Sequence, residues 1–354
     1  MPKLSEIRKN INEIDKKIIA LLNNRANAAR HIGKLKKEAG ISIYTPEREV
    51  EIYENIIKEN KGPLPNKALF SIYREIMSGS LGLEKKLKIA YLGPEATFTH
   101  QAGVKKFGSN VEYYACPNIT DVFREVEAGR SDYGVVPVEN STEGMISHTL
   151  DMFINSDLKI CSEIMLDISH NLLGKGGIKS VKKIYSKQEV FGQCRLWLEI
   201  NMRGIPLAEV SSTSKAAEIA SKEKNSAAIA SMLAAKRYRL DVIAKDIEDN
   251  PNNITRFLVI GETIPGSTKK DKTSVMFSVK DKVGALHDIL ASFKKNGINL
   301  TKIESRPSKR KTWEYYFFVD MIGHWENQNV KNALGELEKH CSFLKILGSY
   351  PVGV

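Results

Sequence analysis

The chain has 354 residues, 42% hydrophobic and 27% charged, with a formal net charge of +11. That length accommodates two or three domains with their own cores, and the balance is that of a soluble globular protein. No apolar run reaches the ~18 residues of a membrane span. MPKLSEIRKN lacks the apolar segment of a secretory signal. Cys116, Cys161, Cys194 and Cys341 show neither CxxC nor paired histidine spacing. This speaks against a zinc site or a disulfide framework and for reduced thiols in a cytoplasm. The sequon matches, among them Asn253-Ile254-Thr255, are then chance. Basic residues are interspersed with acidic ones, and the one dense run, Lys309-Arg310-Lys311, reads as a solvated hairpin tip. The positive charge therefore points to small anions, with no nucleic acid and no membrane as partner.

In chain order, residues 1–86 carry three helical patterns and no strand. Leu4, Ile7, Ile11, Ile14, Ile18 and Leu21 recur at alternating three- and four-residue steps, which predicts one long amphipathic helix ending near Glu38. At 1.5 Å per residue it spans about 50 Å, too long to bury its face in one small domain, so a second chain is expected. Thr45-Pro46-Glu47 reads as a helix start, with threonine as N-cap. A third helix follows Pro65. Arg25 interrupts the apolar stripe, and Lys36, eleven residues on, lies within ~20° of the same face. Arg8 falls about 100° away and should serve a different pocket. Arg48 and Glu49 open the second helix. A salt-bridge lattice is the ordinary use of helical charges; the excess of cations on an apolar face favours an anion-binding bundle.

The pattern LSEIRKNINEIDKKIIALLNNRANAARHIGKLK, then TPERE, then REIMSGSLGLE, resembles the all-helical chorismate mutases, which rearrange chorismate to prephenate in an intertwined dimer. The resemblance implies that Arg25 and Lys36 bind substrate carboxylates, with Lys36 also supporting the ether oxygen. It makes Arg48 a further cation and sends Arg8 to the partner chain's site. Glu49 would bind the substrate hydroxyl, Ser80 would lie near a carboxylate, and Glu84 would face the ether oxygen. A carboxylate there donates a hydrogen bond only when protonated, so mutase activity should fall as pH rises to neutrality and above.

From Lys88 to about Gly261 the texture is α/β. LKIAYLG, YGVVPVE and TRFLVIGE read as strands, and KAAEIASKEK and SAAIASMLAAKRY as helices. Polar stretches at strand ends or turns are the usual ligand sites of such sheets, though most such clusters merely cap backbone. Here they are GPEATFTHQA, PVENSTEG, YSKQEVFGQC and NNITRF. Taken in this order they resemble prephenate dehydratase, implying two α/β lobes akin to periplasmic solute-binding proteins with prephenate in the cleft. The reaction, loss of CO₂ and water with aromatisation, then needs no metal or cofactor. Thr255, in the ITRF motif with Arg256 and Phe257, would donate to the leaving hydroxyl. Arg256 is either a carboxylate clamp or a lobe-bridging ion pair. Asn140, Ser141, Thr142, Ser186 and Gln193 would orient substrate, with Glu139 a proton participant. Ala96, Thr99 and Lys187 depart from that family's usual Gly, Ser and His.

Pro265 to Lys272 reads as a linker, and the remaining residues as βαββαβ, the ferredoxin-like plan. GALHDIL and ESRP in that plan resemble the ACT domain of these dehydratases. The resemblance implies an L-phenylalanine site formed by Gly284, Ala285, Leu286, Glu304, Ser305, Arg306 and Pro307 at a dimer interface.

The expected organisation is a helical mutase domain (1–86), a two-lobed α/β dehydratase domain (87–265) and an α+β ACT domain (271–354), at least a homodimer. Substrates are chorismate and prephenate, and L-phenylalanine is the effector. An arogenate dehydratase and a non-catalytic amino-acid sensor are the rivals; the full set of mutase cations argues against the sensor.

Overall fold

The computed structural model describes residues 4–40, 42–279, 282–308 and 314–353, with Glu84 described by its backbone alone. The basic run at 309–311 lies outside the described residues. The chain forms two compact units: one is the chain up to Leu87 with Lys106–Glu112, the other Lys88–Lys105 with Tyr113 onward.

In the first unit, α1 (Leu4–Glu38) and α2 (Pro46–Glu59) both pack against α3 (Asn66–Glu84). The apolar stripe of α1 exists as expected, yet its six residues from Leu4 to Leu21 remain 46–66% exposed. Among the described residues the chain thus leaves this heptad-like stripe largely bare. Thr45 stands at the N-cap of α2, but its hydroxyl makes no cap bond. It accepts instead from Lys36 Nζ at 3.3 Å. The expected side-chain cap is thus replaced by a charge-assisted bond, the stronger of the two.

After α3 the chain runs through β1 (Lys88–Leu92), α4 (Phe98–Phe107), β2 (Glu112–Cys116), α5 (Ile119–Glu127), β3 (Tyr133–Asn140), β4 (Gly144–Met145), α6 (Ser147–Asn155) and β5 (Lys159–Asp167), all in the second unit except the end of α4 and the first residue of β2. A second lobe follows: β6 (Asn171–Gly174), β7 (Lys183–Ser186), α7 (Gln188–Gln193), α8 (Arg195–Asn201), β8 (Leu207–Glu209), α9 (Thr213–Lys222), β9 (Ser226–Ala230), α10 (Met232–Tyr238) and β10 (Asp241–Ala244). The chain then returns as β11 (Ile254–Gly261) between β3 and β5, so the first sheet runs β2-β1-β3-β11-β5 and the second β10-β6-β9-β7-β8. This double crossing makes two lobes.

One element was misread from sequence. SAAIASMLAAKRY is not a single helix: Ser226–Ala230 is the central strand of the second sheet, every residue buried. The helix starts only after Ser231, whose hydroxyl accepts from Ala234 N–H. Alanine favours helix locally, but a strand covered on both faces selects small residues, and tertiary packing overrides propensity.

The C-terminal domain comprises β12 (Asp271–Val279), α11 (Ala285–Lys295), β13 (Leu300–Pro307), β14 (Tyr315–Ile322), α12 (Gln328–His340) and β15 (Cys341–Pro351). Its antiparallel order β13-β14-β12-β15 is the ferredoxin-like one. The expected linker is tied down, with Asp271 accepting from Ser267, Thr268 and Lys269. The domain shares a core with the first lobe: Val136, Val138, Phe153 and Leu258 pack with Met276, Phe318, Leu347 and Tyr350. Gly348 permits that approach, since a Cβ there would lie 2.2 Å from the Ile160 carbonyl oxygen.

Candidate active sites

The first unit holds a cavity of about 330 Å³ lined by Arg25, Lys36, Arg48, Glu49 and Ser80, five of the seven residues expected from the sequence. Tyr44, Arg74 and Lys106 join them, with Ala28, Ile32 and Leu81 among the apolar walls. Among the described residues, five cations and one carboxylate thus line the cavity. The Arg25 guanidinium donates to Ser80 Oγ at 2.9 Å, and that hydroxyl donates to the Ile76 carbonyl. Lys36 Nζ donates to the Ile43 carbonyl at 2.8 Å. Glu49 Oε2 accepts from Tyr44 OH at 3.2 Å and pairs with Lys106 at 2.9 Å. Arg48 is largely exposed and pairs with Glu51. Arg8 lies outside the cavity lining. Seventeen residues before Arg25, it is about 25 Å away along the helix. The side chain of Glu84 lies outside the described residues.

In the second unit, Thr255 pairs with Asn140 across β11 and β3, and Arg256 pairs with Glu139. Asn140 is the centre of the site. Its Oδ1 accepts from the backbone N–H of Thr142 and of Glu143, both at 2.9 Å. Backbone groups can only donate there, so the amide orientation is determined. The NH₂ then points to Asn253 Oδ1 at 2.7 Å and Thr255 Oγ1 at 2.8 Å. Asn253 donates to Gln193 Oε1 at 3.2 Å, and Gln193 donates to the Glu143 carboxylate at 2.9 Å. The amide series therefore runs one way from Asn140 to an anion. Because the Thr255 oxygen accepts from Asn140, its hydrogen is left to point elsewhere.

Gln193 Oε1 also meets His170 Nε2 at 2.8 Å. A carbonyl oxygen only accepts, so Nε2 carries the hydrogen, and Nδ1 is buried without a hydrogen-bond partner among the described residues. Burial holds this imidazole below its ordinary value, towards the neutral form. Ser141 clamps the β11 entrance: its hydroxyl donates to the Asn252 carbonyl and accepts from Ile254 N–H. Ser186 is fully buried and donates to the Ile229 carbonyl, and Phe257 is 1% exposed. Neither joins the Asn140 network. Ala96 has φ +66°, a left-handed conformation that costs any residue with a Cβ; this accounts for the glycine usual at its position.

Alternation along the strands puts Glu139 and Arg256 on the opposite face from Thr255. There Glu139 accepts from Lys302 at 2.7 Å. Arg256 donates to Glu163 at 2.7 Å, Asp320 at 2.6 Å and Tyr350 OH at 2.9 Å. Of the two readings left open, the ion pair is present, but its far partner belongs to the C-terminal domain instead of the opposite lobe. Burial alone would lower the guanidinium pKa; Tyr350, Asp320 and Glu163 together raise it well above the usual range.

In the C-terminal domain, Gly284 caps α11 with φ +79°. Ala285 is buried and Leu286 is 36% exposed. On the edge strand β13, Ser305 and Pro307 are exposed, Glu304 is half-buried, and Arg306 pairs with Asp151 of α6 at 3.3 Å. No hydrogen bond joins Gly284–Leu286 to Glu304–Pro307 among the described residues.

Sequence reasoning missed Tyr44, Arg74 and Lys106 in the first cavity, and Glu143, His170 and Asn253 in the second site. Asn253 was findable, since it precedes Thr255 by two residues and shares its face. His170 carries no local signal.

Models of three families match in order: chorismate mutase type II over residues 7–85, prephenate dehydratase over 89–264 and the ACT domain over 273–339. A bifunctional chorismate mutase/prephenate dehydratase of Aquifex aeolicus is 52% identical over 99% of this chain and 98% of its own. One of Stutzerimonas stutzeri is 44% identical with the same coverage. A solved prephenate dehydratase of Arthrobacter aurescens, in complex with L-Phe, superposes with a TM-score of 0.71 at 32% identity, covering 75% of this chain and 90% of its own. With three matched modules in this order and full-length relatives at such identity, the chain belongs to the bifunctional chorismate mutase/prephenate dehydratases.

Proposed function

We propose that the helical unit rearranges chorismate to prephenate and that the two-lobed domain converts prephenate to phenylpyruvate. The observation that carries the reading is the first-unit cavity, lined among the described residues by five cations and the Glu49 carboxylate. Such a pocket suits a dianion held in a compact conformation, with charge beside the ether oxygen that becomes negative as its bond breaks. No covalent group is required. Glu49 supplies the acceptor for the substrate hydroxyl, and Arg25 and Lys36 the carboxylate contacts. Arg8 is too far along α1 for this cavity and serves that of a second copy, which would also cover the bare α1 stripe.

In the dehydratase step the C1 carboxylate leaves as CO₂, its electron pair enters the ring, and the C4 hydroxyl departs with one proton as water. Thr255, accepting from Asn140, turns its own hydrogen to that hydroxyl. A threonine is too weak an acid to ionise, so it polarises or relays a proton. Glu139 and Arg256 act on the other face, as anchors of the strand pair. The C-terminal domain is proposed to bind L-phenylalanine through Gly284–Leu286 and Glu304–Pro307 across an edge-strand dimer, and the protein to work in the cytoplasm. The L-Phe in the Arthrobacter relative supports that ligand.

The test supplies chorismate and follows phenylpyruvate absorbance in base, with prephenate and arogenate supplied separately. Thr255→Ala should stop phenylpyruvate formation while chorismate consumption continues. Loss of both would mean a folding defect, and phenylpyruvate at the wild-type rate would remove Thr255 from the chemistry. Calorimetry with L-phenylalanine tests the effector site.

A further inference from the structure

The mutase match ends at residue 85 and the dehydratase match begins at residue 89, yet the cavity of the first unit contains Lys106. Its ammonium lies 2.9 Å from Glu49 Oε2 and is only 18% exposed. It also sits 6.0 Å from the Tyr44 ring centroid, and Tyr44 OH donates to the same Glu49 oxygen. Phe107 is buried, its ring 5.1 Å from that of Tyr44. Glu49 Oε2 thus takes two donors, and the Tyr53 hydroxyl is a third group hydrogen-bonded to this carboxylate.

The segment is built to dock where it does. Ser109 donates to Glu75 Oε2 through its backbone at 3.1 Å and its hydroxyl at 2.6 Å, and Asn110 N–H donates to Ser78 Oγ at 2.9 Å. Gly108 has φ +71°, and a Cβ there would fall 2.6 Å from Ser78 Cβ. Only glycine meets both conditions.

We infer that Lys106, from the segment matching the dehydratase family, is a positioning residue of the mutase site. It fixes Glu49 for the substrate hydroxyl and offsets the charge that this carboxylate would turn on a dianion. The inference rests on the mutase reading of the cavity. An isolated carboxylate in a dianion pocket repels its ligand and is free to rotate; one pinned by an ammonium is oriented and compensated. Chemistry at the ether oxygen does not involve the hydroxyl. The loss of Lys106 should therefore appear mainly in KM, as weakened binding common to ground and transition states.

The experiment is steady-state mutase kinetics on the full chain, in wild type, Lys106→Met, Lys106→Arg, Glu49→Gln and the double variant Lys106→Met/Glu49→Gln. Conversion of chorismate by the wild type tests the mutase reading separately. Given that activity, Lys106→Met should lose about 10- to 100-fold in kcat/KM, mostly through KM, and Lys106→Arg should recover most of it. In the Glu49→Gln background, removing Lys106 should cost less than about threefold, because its partner is already gone. Wild-type kinetics in Lys106→Met, or full additivity in the double variant, would overturn the inference. Dehydratase turnover on supplied prephenate reports that each variant is folded.

Discussion

Replacing Arg256 with Met separates an anchoring residue from a substrate clamp. The guanidinium is 8% exposed, and its acceptors Glu163, Asp320 and Tyr350 are 4%, 8% and 0% exposed. Removing one partner of a buried charge pair costs about 3–5 kcal/mol, chiefly because the other charge stays buried. Here some compensation survives. Lys272 still donates to both oxygens of Glu163 at 2.9 Å, and Ser274 to Asp320 at 2.5 Å. The lower end, about 3 kcal/mol, is therefore expected. For a domain of this size that corresponds to a melting temperature about 6–12 °C lower. Calorimetry of the full chain reads the melt, and prephenate titration well below it reads KM. An unchanged melt with a more than tenfold rise in KM for prephenate would refute the reasoning and restore the clamp.

Asn140→Asp keeps the shape but removes the NH₂ donor, so the Thr255 hydrogen would turn towards the new carboxylate; dehydratase kcat should fall about 100-fold or more while the mutase persists. His170 gives a pH signature. Its folded pKa lies below the ordinary 6.5, so its contribution to stability is complete above that value and declines as pH falls through it, the unfolded chain protonating first. Melts from pH 7.5 to 5.5 should show that decline, and His170→Gln should lessen it, the buried His100, also held below its ordinary value, supplying the remainder; an equal slope in both would remove the assignment. Ile14, 46% exposed in mid-stripe, tests the proposed second copy: Ile14→Glu should sediment as a smaller species and lose the mutase activity proposed to need Arg8 of that copy, whereas wild-type sedimentation would sink the pairing.

Sequence alone determined what short-range periodicity and local chemistry encode: the α1 stripe, the shared face of Arg25 and Lys36, the βαββαβ order and the turn that delivers Thr255. These depend on neighbours within a few residues, because helical and strand periods are local properties. The tertiary structure decided the rest. Ser226–Ala230 became a strand because it is covered on both faces. Thr45 gave its hydroxyl to Lys36 instead of its own helix. Glu49 found Lys106, Arg256 found Asp320 and Tyr350, and Asn140 was oriented by backbone donors that exist only once the following turn is formed. Ion pairs and hydrogen bonds between residues tens of positions apart leave no periodic trace in sequence, since any residue of suitable charge can serve and only the folded chain brings them within 3 Å.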